Sequence, residues 1–231
     1  MTPALSWTIA IAIAYLLGSI PVGLLMAHSR GVNLRAIGSG NIGATNTMRA
    51  LGKPLGITCF ILDVAKGAIP TLLASLLLIT HPMTNDDAWR WLAVACAAVA
   101  GHMFPVWIRF KGGKGVATGL GALLGMWPVL TLPALAAAII WVIALKATRY
   151  VGISSCIAAL TIPPITWATI TLGNTAALPL WEGAAPLTPF LAATALLAVF
   201  VVVKHRGNIR KTLAGTEHRV GAPKQPSENT E

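Results

Sequence analysis

The sequence predicts an all-α integral membrane protein with seven transmembrane helices, its N-terminus outside and its C-terminus cytoplasmic. Three observations predict it. Of 231 residues, 55% are hydrophobic and 10% charged, the balance of a chain that lies in lipid. Its apolar runs approach the roughly 20 residues that cross a bilayer as a helix. The lysines and arginines, which give a net charge of +10, are gathered in short gaps between those runs, and the gaps are of one parity, as the positive-inside rule requires.

Five spans read directly: Ala4 to Met26, Leu55 to Ile79, Trp91 to Ile108, Val151 to Leu172 and Leu187 to Val203. The first has no basic residue before it and meets Arg30 and Arg35 after it. That is the reverse of a cleavable signal peptide, so it reads as a retained span that starts outside. The stretch from Val116 to Leu145 holds 30 residues. As one helix it would be about 45 Å long against a hydrocarbon core of roughly 30 Å, and Pro128 and Pro133 would interrupt it. Charge parity chooses two passages, as full helices or as a re-entrant hairpin of the same parity. Segments 27–54, 107–115, 146–150 and 204–231 then share the inner side and hold 15 of the 17 basic residues. The outer loops carry Asp86, Asp87 and Glu182. A single passage would put Lys146, Arg149 and the basic tail outside. The chain reads as one polytopic domain over 1–219, followed by a polar, unpatterned tail over 220–231 that is expected to be disordered.

The same pattern excludes several classes of function. Basic residues that flank membrane spans, with only two tyrosines in the chain, argue against nucleic acid and for the lipid bilayer and anionic substrates as partners. Cys59, Cys96 and Cys156 lie inside apolar runs without a CxxC pair, so neither a disulfide framework nor a zinc site is indicated. No metal or cofactor is implied. Lys111 to Gly115 lacks the GxxxxGK[ST] spacing of a nucleotide triphosphatase. His81 and Asp86 have the HxxxxD spacing of another class of glycerolipid acyltransferases, but they fall on the acidic outer loop, away from every basic glycine-rich segment.

The chemistry concentrates on the inner side. In the first inner loop, Gly38, Gly40 and Gly43 let the backbone bend close to a ligand. Ser39, Asn41, Thr45 and Asn46 add neutral donors, and Arg49 a charged fork, a set suited to a phosphate or a polyol. In the second, Lys111 and Lys114 straddle Gly112 and Gly113. A helix starting near Gly115 would add its positive dipole end to make an anion cradle. In the last, His205 and Asn208 are three apart and share a helical face, and Glu217 can hold the tail down by pairing with an inner-loop base. Asp63 and Lys66 lie three apart inside the second span, where a charge costs about 3 kcal/mol at depth. They pair with each other or face the site. His102, near the inner end of the third span, is either a base or a hydrogen-bonded structural histidine.

Six ordered motifs resemble the bacterial acyl-phosphate:glycerol-3-phosphate acyltransferases, the PlsY family: GSIPVG (18–23), GSGNIGATN (38–46) with Arg49, LDVAKG (62–67), GHMFPVWIRFKGGKGVAT (101–118), RYVGISS (149–155) and KHRGNIRKTLAGTE (204–217). The resemblance spans nearly the whole chain, from about Leu16 to Glu217. The chain departs from the usual pattern at Arg210-Lys211-Thr212 and at Gly152. The resemblance implies a seven-helix multi-pass protein of the bacterial cytoplasmic (inner) membrane with its active site on the cytoplasmic face. It implies transfer of a fatty acyl group from acyl phosphate to glycerol 3-phosphate, giving lysophosphatidic acid and phosphate in phospholipid biosynthesis. By the same resemblance Ser39 to Arg49, Gly112 to Lys114 and His205 with Asn208 form one site, with Ser39, Arg49, Lys114, His205 and Asn208 as its catalytic set. The hydroxyl proton would go to His205, to His102 or to a substrate phosphate. The rival reading is a membrane transporter or channel for phosphate compounds. It expects charge through the membrane, whereas the polar motifs here lie on one side.

Overall fold

Ten α-helices and no strand lie among the described residues of a computed structural model that describes residues 2–79, 82–174, 185–217 and 219–220. They are α1 (Pro3–Gly18), α2 (Val22–His28), α3 (Ala44–Leu51), α4 (Lys53–Leu78), α5 (Asn85–Met103), α6 (Val116–Gly125), α7 (Thr131–Thr148), α8 (Val151–Gly173), α9 (Leu187–Lys204) and α10 (Arg206–Leu213). His81, Glu182 and nearly all of the tail expected to be disordered lie outside the described residues.

Counting α1 and α2 as one, six helices are long and apolar enough to cross a membrane. Their outer faces present Leu76, Leu77, Ile139, Leu196 and Val199 to the surroundings, as lipid-facing walls do. Of the two forms expected for the seventh passage, the structure has no full-length helix over 116–130. α6 has 10 residues, about 15 Å of rise and half a hydrocarbon core, and a compact turn over 126–130 returns the chain into α7. The first span is also broken: Pro21 ends the α1 path because proline offers no amide donor. Lys66 donates to the Ile20 carbonyl freed at the break, at 2.8 Å.

Small residues set the helix spacing, as is usual where lipid removes the hydrophobic driving force between helices. A Cβ at Gly121 would stand 1.9 Å from the Val64 carbonyl oxygen, and one at Gly67 2.2 Å from that of Thr118. α4 and α6 therefore touch backbone to backbone. At one end of the bundle, Thr84 and Asp87 form a reciprocal capping box at the start of α5. Trp91 is buried edge-on to Phe190 with ring centroids 6.2 Å apart. These contacts leave the opposite end of the bundle to the polar loops.

Candidate active site

The first polar loop is held in shape by its own side chains. Gly38 and Gly40 adopt left-handed φ values of 57° and 66°, which glycine reaches without a Cβ penalty. The buried Asn46 fixes the turn: its Oδ1 accepts from the Ser39 amide at 3.1 Å and its Nδ2 donates to the Leu34 carbonyl at 3.0 Å. Arg35 donates to the Lys111 carbonyl at 2.6 Å, tying this loop to the next. α3 starts at Gly43 without a side-chain cap, so its first amides remain available to an anion.

The second loop begins where α5 stops at Phe104-Pro105. Arg109 and Phe110 take left-handed conformations and turn the chain back over the helix end. Gly112 then donates its amide to the Met103 carbonyl at 3.1 Å and Gly113 to the His102 carbonyl at 3.0 Å. Gly115, with φ 79°, starts α6. The last polar segment, from His205 to Glu217, closes the site from the other side. Lys114 Nζ donates to Asn208 Oδ1, and Asn208 Nδ2 donates to Glu217 Oε1 at 2.7 Å. His205 Nδ1 donates to the Val201 carbonyl at 2.8 Å, which leaves Nε2 as the unprotonated nitrogen of the neutral ring. Gly152 lets α10 approach α8, since a Cβ there would stand 2.6 Å from that of Asn208. Beyond Glu217 the chain straps over the α7–α8 turn. Arg219 Nε donates to the Tyr150 hydroxyl at 2.9 Å and Val220 donates its amide to the Arg149 carbonyl at 2.8 Å.

Together these segments enclose a cleft of about 490 Å³. The starts of α3, α6 and α8 open on it through Ala44, Val116 and Val151, so three helix dipoles present their positive ends to one volume. Arg49, Lys114 and Lys211 line it beside Glu217. Burial pushes the Lys114 ammonium below its ordinary value, while the Glu217 carboxylate pulls the other way. Burial also holds His205 below its ordinary value, and the charge of Lys114 adds to that effect. The imidazole is therefore neutral at pH 7. Phe60 and Trp141 form an apolar part of the lining, with Trp141 Nε1 donating to Ser155 Oγ at 3.2 Å.

Of the residues singled out from the sequence, Ser39, Asn41, Gly43, Thr45, Asn46, Arg49, Asp63, His102, Lys114, His205, Asn208 and Glu217 line this cleft. Gly40, Lys111, Gly112 and Gly113 are not among its lining residues. The amides of Gly112 and Gly113 are already bonded to the end of α5, and Lys111 is exposed, so the second loop reaches the cleft through Lys114. Glu217 holds the tail through the Asn208 amide, not through the direct base pairing expected of it. Asp63 pairs with Lys66 at 2.9 Å, as one of its two expected readings has it, and also stands 3.6 Å from His102 Nδ1. Lys211, Trp141 and Ser155 were missed. RYVGISS carried the signal for Ser155, but nothing in the sequence marks Trp141 off from other apolar residues of α7.

The family model described as "Glycerol-3-phosphate acyltransferase" matches residues 8–215. A protein of that name from Geobacter sulfurreducens is 43% identical over 91% of this chain and 96% of its own length. Another from Sinorhizobium fredii is 42% identical over 92% of each. Among solved structures, the glycerol 3-phosphate form of PlsY (YgiH), an integral membrane glycerol 3-phosphate acyltransferase, superposes with a TM-score of 0.77. It is 36% identical and covers 94% of this chain and 96% of that one. Its lysophosphatidic acid form gives a TM-score of 0.76 at 35% identity with the same coverage.

Proposed function

The chain belongs to the glycerol-3-phosphate acyltransferase family, and we propose that it takes its acyl group from acyl phosphate at the cytoplasmic face of a bacterial inner membrane. Glycerol 3-phosphate is the acceptor, and lysophosphatidic acid and phosphate are the products. The observation that supports this reading best is the convergence of Arg49, Lys114 and three helix starts on one cleft, because the reaction must hold two anionic headgroups together. At about 4 Å and an effective dielectric near 20, each unit charge pair contributes roughly 4 kcal/mol, enough to offset phosphate repulsion. Asn41 Oδ1 is buried in this lining with no hydrogen-bond partner among the described residues and suits a glycerol hydroxyl. Phe60 and Trp141 give the acyl chain an apolar way out toward lipid. The proposed topology has the N-terminus outside and the short α6 as the return passage of the seventh element. Residues 1–219 act as one unit.

In the reaction, a glycerol hydroxyl oxygen attacks the acyl carbonyl carbon, the bond from that carbon to the phosphate oxygen breaks, and phosphate leaves. The hydroxyl proton goes to a substrate phosphate oxygen. The protein supplies positioning and positive charge, since an acyl phosphate is already activated and no nucleophile stands beside a base in the lining. Purified protein in detergent, given acyl phosphate and glycerol 3-phosphate, is expected to form lysophosphatidic acid. Uptake of phosphate compounds into proteoliposomes without product would favour the transporter instead.

The pH profile separates the two bases. A phosphate monoester loses its second proton near pH 6, so activity is expected to rise with pH through that region. His205, held below its ordinary value, is neutral over the upper part of that range and gains a proton only as the pH falls. His205→Gln should therefore lower turnover about tenfold while leaving the acid limb in place. Loss of the limb together with about a thousandfold fall in turnover would make His205 the base.

A further inference from the structure

The Gly112-Gly113 turn does not meet the cleft, yet it allows no side chain. A Cβ at Gly113 would stand 2.2 Å from His102 Nε2, and one at Gly112 2.2 Å from the His102 carbonyl oxygen. The turn thus lies in contact with the His102 ring and is bonded to the backbone beneath it through the His102 and Met103 carbonyls. The ring is itself buried beside a charged pair. His102 is 4% exposed, its Nδ1 faces Asp63 Oδ1 at 3.6 Å, and Asp63 is fixed by Lys66 at 2.9 Å. Lys66 in turn donates to the carbonyl at the α1–α2 break. Packed polar contacts therefore run from the middle of the bundle to the residue just before Lys114. We propose that His102 is a positioning residue, a fixed seat for the Gly112-Gly113 turn that sets where the Lys114 ammonium stands in the cleft.

This rests on the reading of Lys114 as a phosphate-holding group, and it differs from a catalytic role for His102. The seat is a matter of shape, so its test is compensation. In the full chain in detergent, Gly113→Ala is expected to lower kcat/KM for glycerol 3-phosphate about a hundredfold, the scale of an ångström-sized misplacement, chiefly by raising KM. Adding His102→Ala to Gly113→Ala makes room for the methyl and should restore at least about tenfold over the single variant. A double variant no better than Gly113→Ala alone would overturn the proposal. So would His102→Gln that falls as far as Lys114→Ala and loses the acid limb, which is the behaviour of a base. Should Gly113→Ala not yield folded protein, His102→Gln is expected to weaken glycerol 3-phosphate binding, measured by calorimetry, at an unchanged melting temperature, and unchanged binding would overturn it. Calorimetry reads the seat without turnover. Wild-type protein that binds glycerol 3-phosphate but makes no lysophosphatidic acid thus counts against the acyltransferase reading alone.

Discussion

Lys114→Ala is expected to lower kcat/KM for lysophosphatidic acid formation by about a thousandfold, the upper range for removing one preorganised charge-stabilising donor. Lys114 is half-buried at the start of α6 and donates to Asn208, which donates in turn to Glu217. Removing the ammonium deletes a half-buried cation from the cleft and leaves the Glu217 carboxylate faced by fewer positive charges there, with Arg49 and Lys211 remaining. Both changes act in the same direction. The fold should survive, because the neighbouring glycines are held by α5 through their amides and do not need the lysine side chain. Turnover by purified variants, with melting curves recorded beside it, checks this. Lys114→Arg should recover only part of the loss, since a planar fork does not occupy the place of a compact ammonium. Asn208→Ala combined with Lys114→Ala should cost little more than Lys114→Ala alone, as expected of groups that act as a unit. Additive losses would mean that Asn208 serves the substrate independently.

Gly121→Val is expected to abolish the folded protein. The added carbon would sit 1.9 Å from the Val64 carbonyl oxygen, so α6 must leave α4 or the backbone of both must shift. Ordinary overpacking costs about 1–3 kcal/mol; a clash with a helix backbone inside the closest pair of the bundle has no flexible side chain to yield and should exceed that. Gly119→Ala is the matched control on the same helix, because the nearest atom to a Cβ there is 4.0 Å away. Size-exclusion profiles and thermal unfolding in detergent should show Gly119→Ala like wild type and Gly121→Val aggregated. A well-folded Gly121→Val would show that α4 and α6 do not depend on backbone contact.

Much of the bundle could be read in advance because lipid imposes a single strong rule on it. Apolar length marks the long helices, and the sidedness of lysine and arginine groups the basic loops that meet at the cleft without any knowledge of packing. The exceptions are places where packing overrides length. α6 stops at half a bilayer because its glycines press on α4 and a turn sends the chain back. Hydropathy did not separate the break at Ser19–Pro21 from the first span, since the freed carbonyl is satisfied by Lys66 from another helix. The site was legible where residues carry charge or hydrogen-bonding groups, as at Arg49, Lys114 and Asn208. It was misleading at Gly112 and Gly113, which were expected in the anion cradle between the two lysines, whereas their amides are bonded to α5 and neither residue lines the cleft. A glycine needed for closeness and a glycine needed for an exposed amide look the same in one dimension. Trp141 was silent for the related reason that an apolar residue on an apolar helix gives no sign of what it lines.

The contacts of Glu217, Arg219 and Val220 bear on how the protein is made. Lys114 and its partner Asn208 are 94 residues apart, and Glu217 follows later still, anchored beyond by Arg219 on Tyr150. Chains emerge from the ribosome N-terminus first, so the helices enter the membrane while one wall of the cleft has yet to be synthesised. The hydrogen-bonded triad of lysine, asparagine and glutamate can form only after α10 and Glu217 have been synthesised. A nascent chain halted before α10 would span the bilayer and remain catalytically silent, so that activity itself reports that α10 and Glu217 have been made.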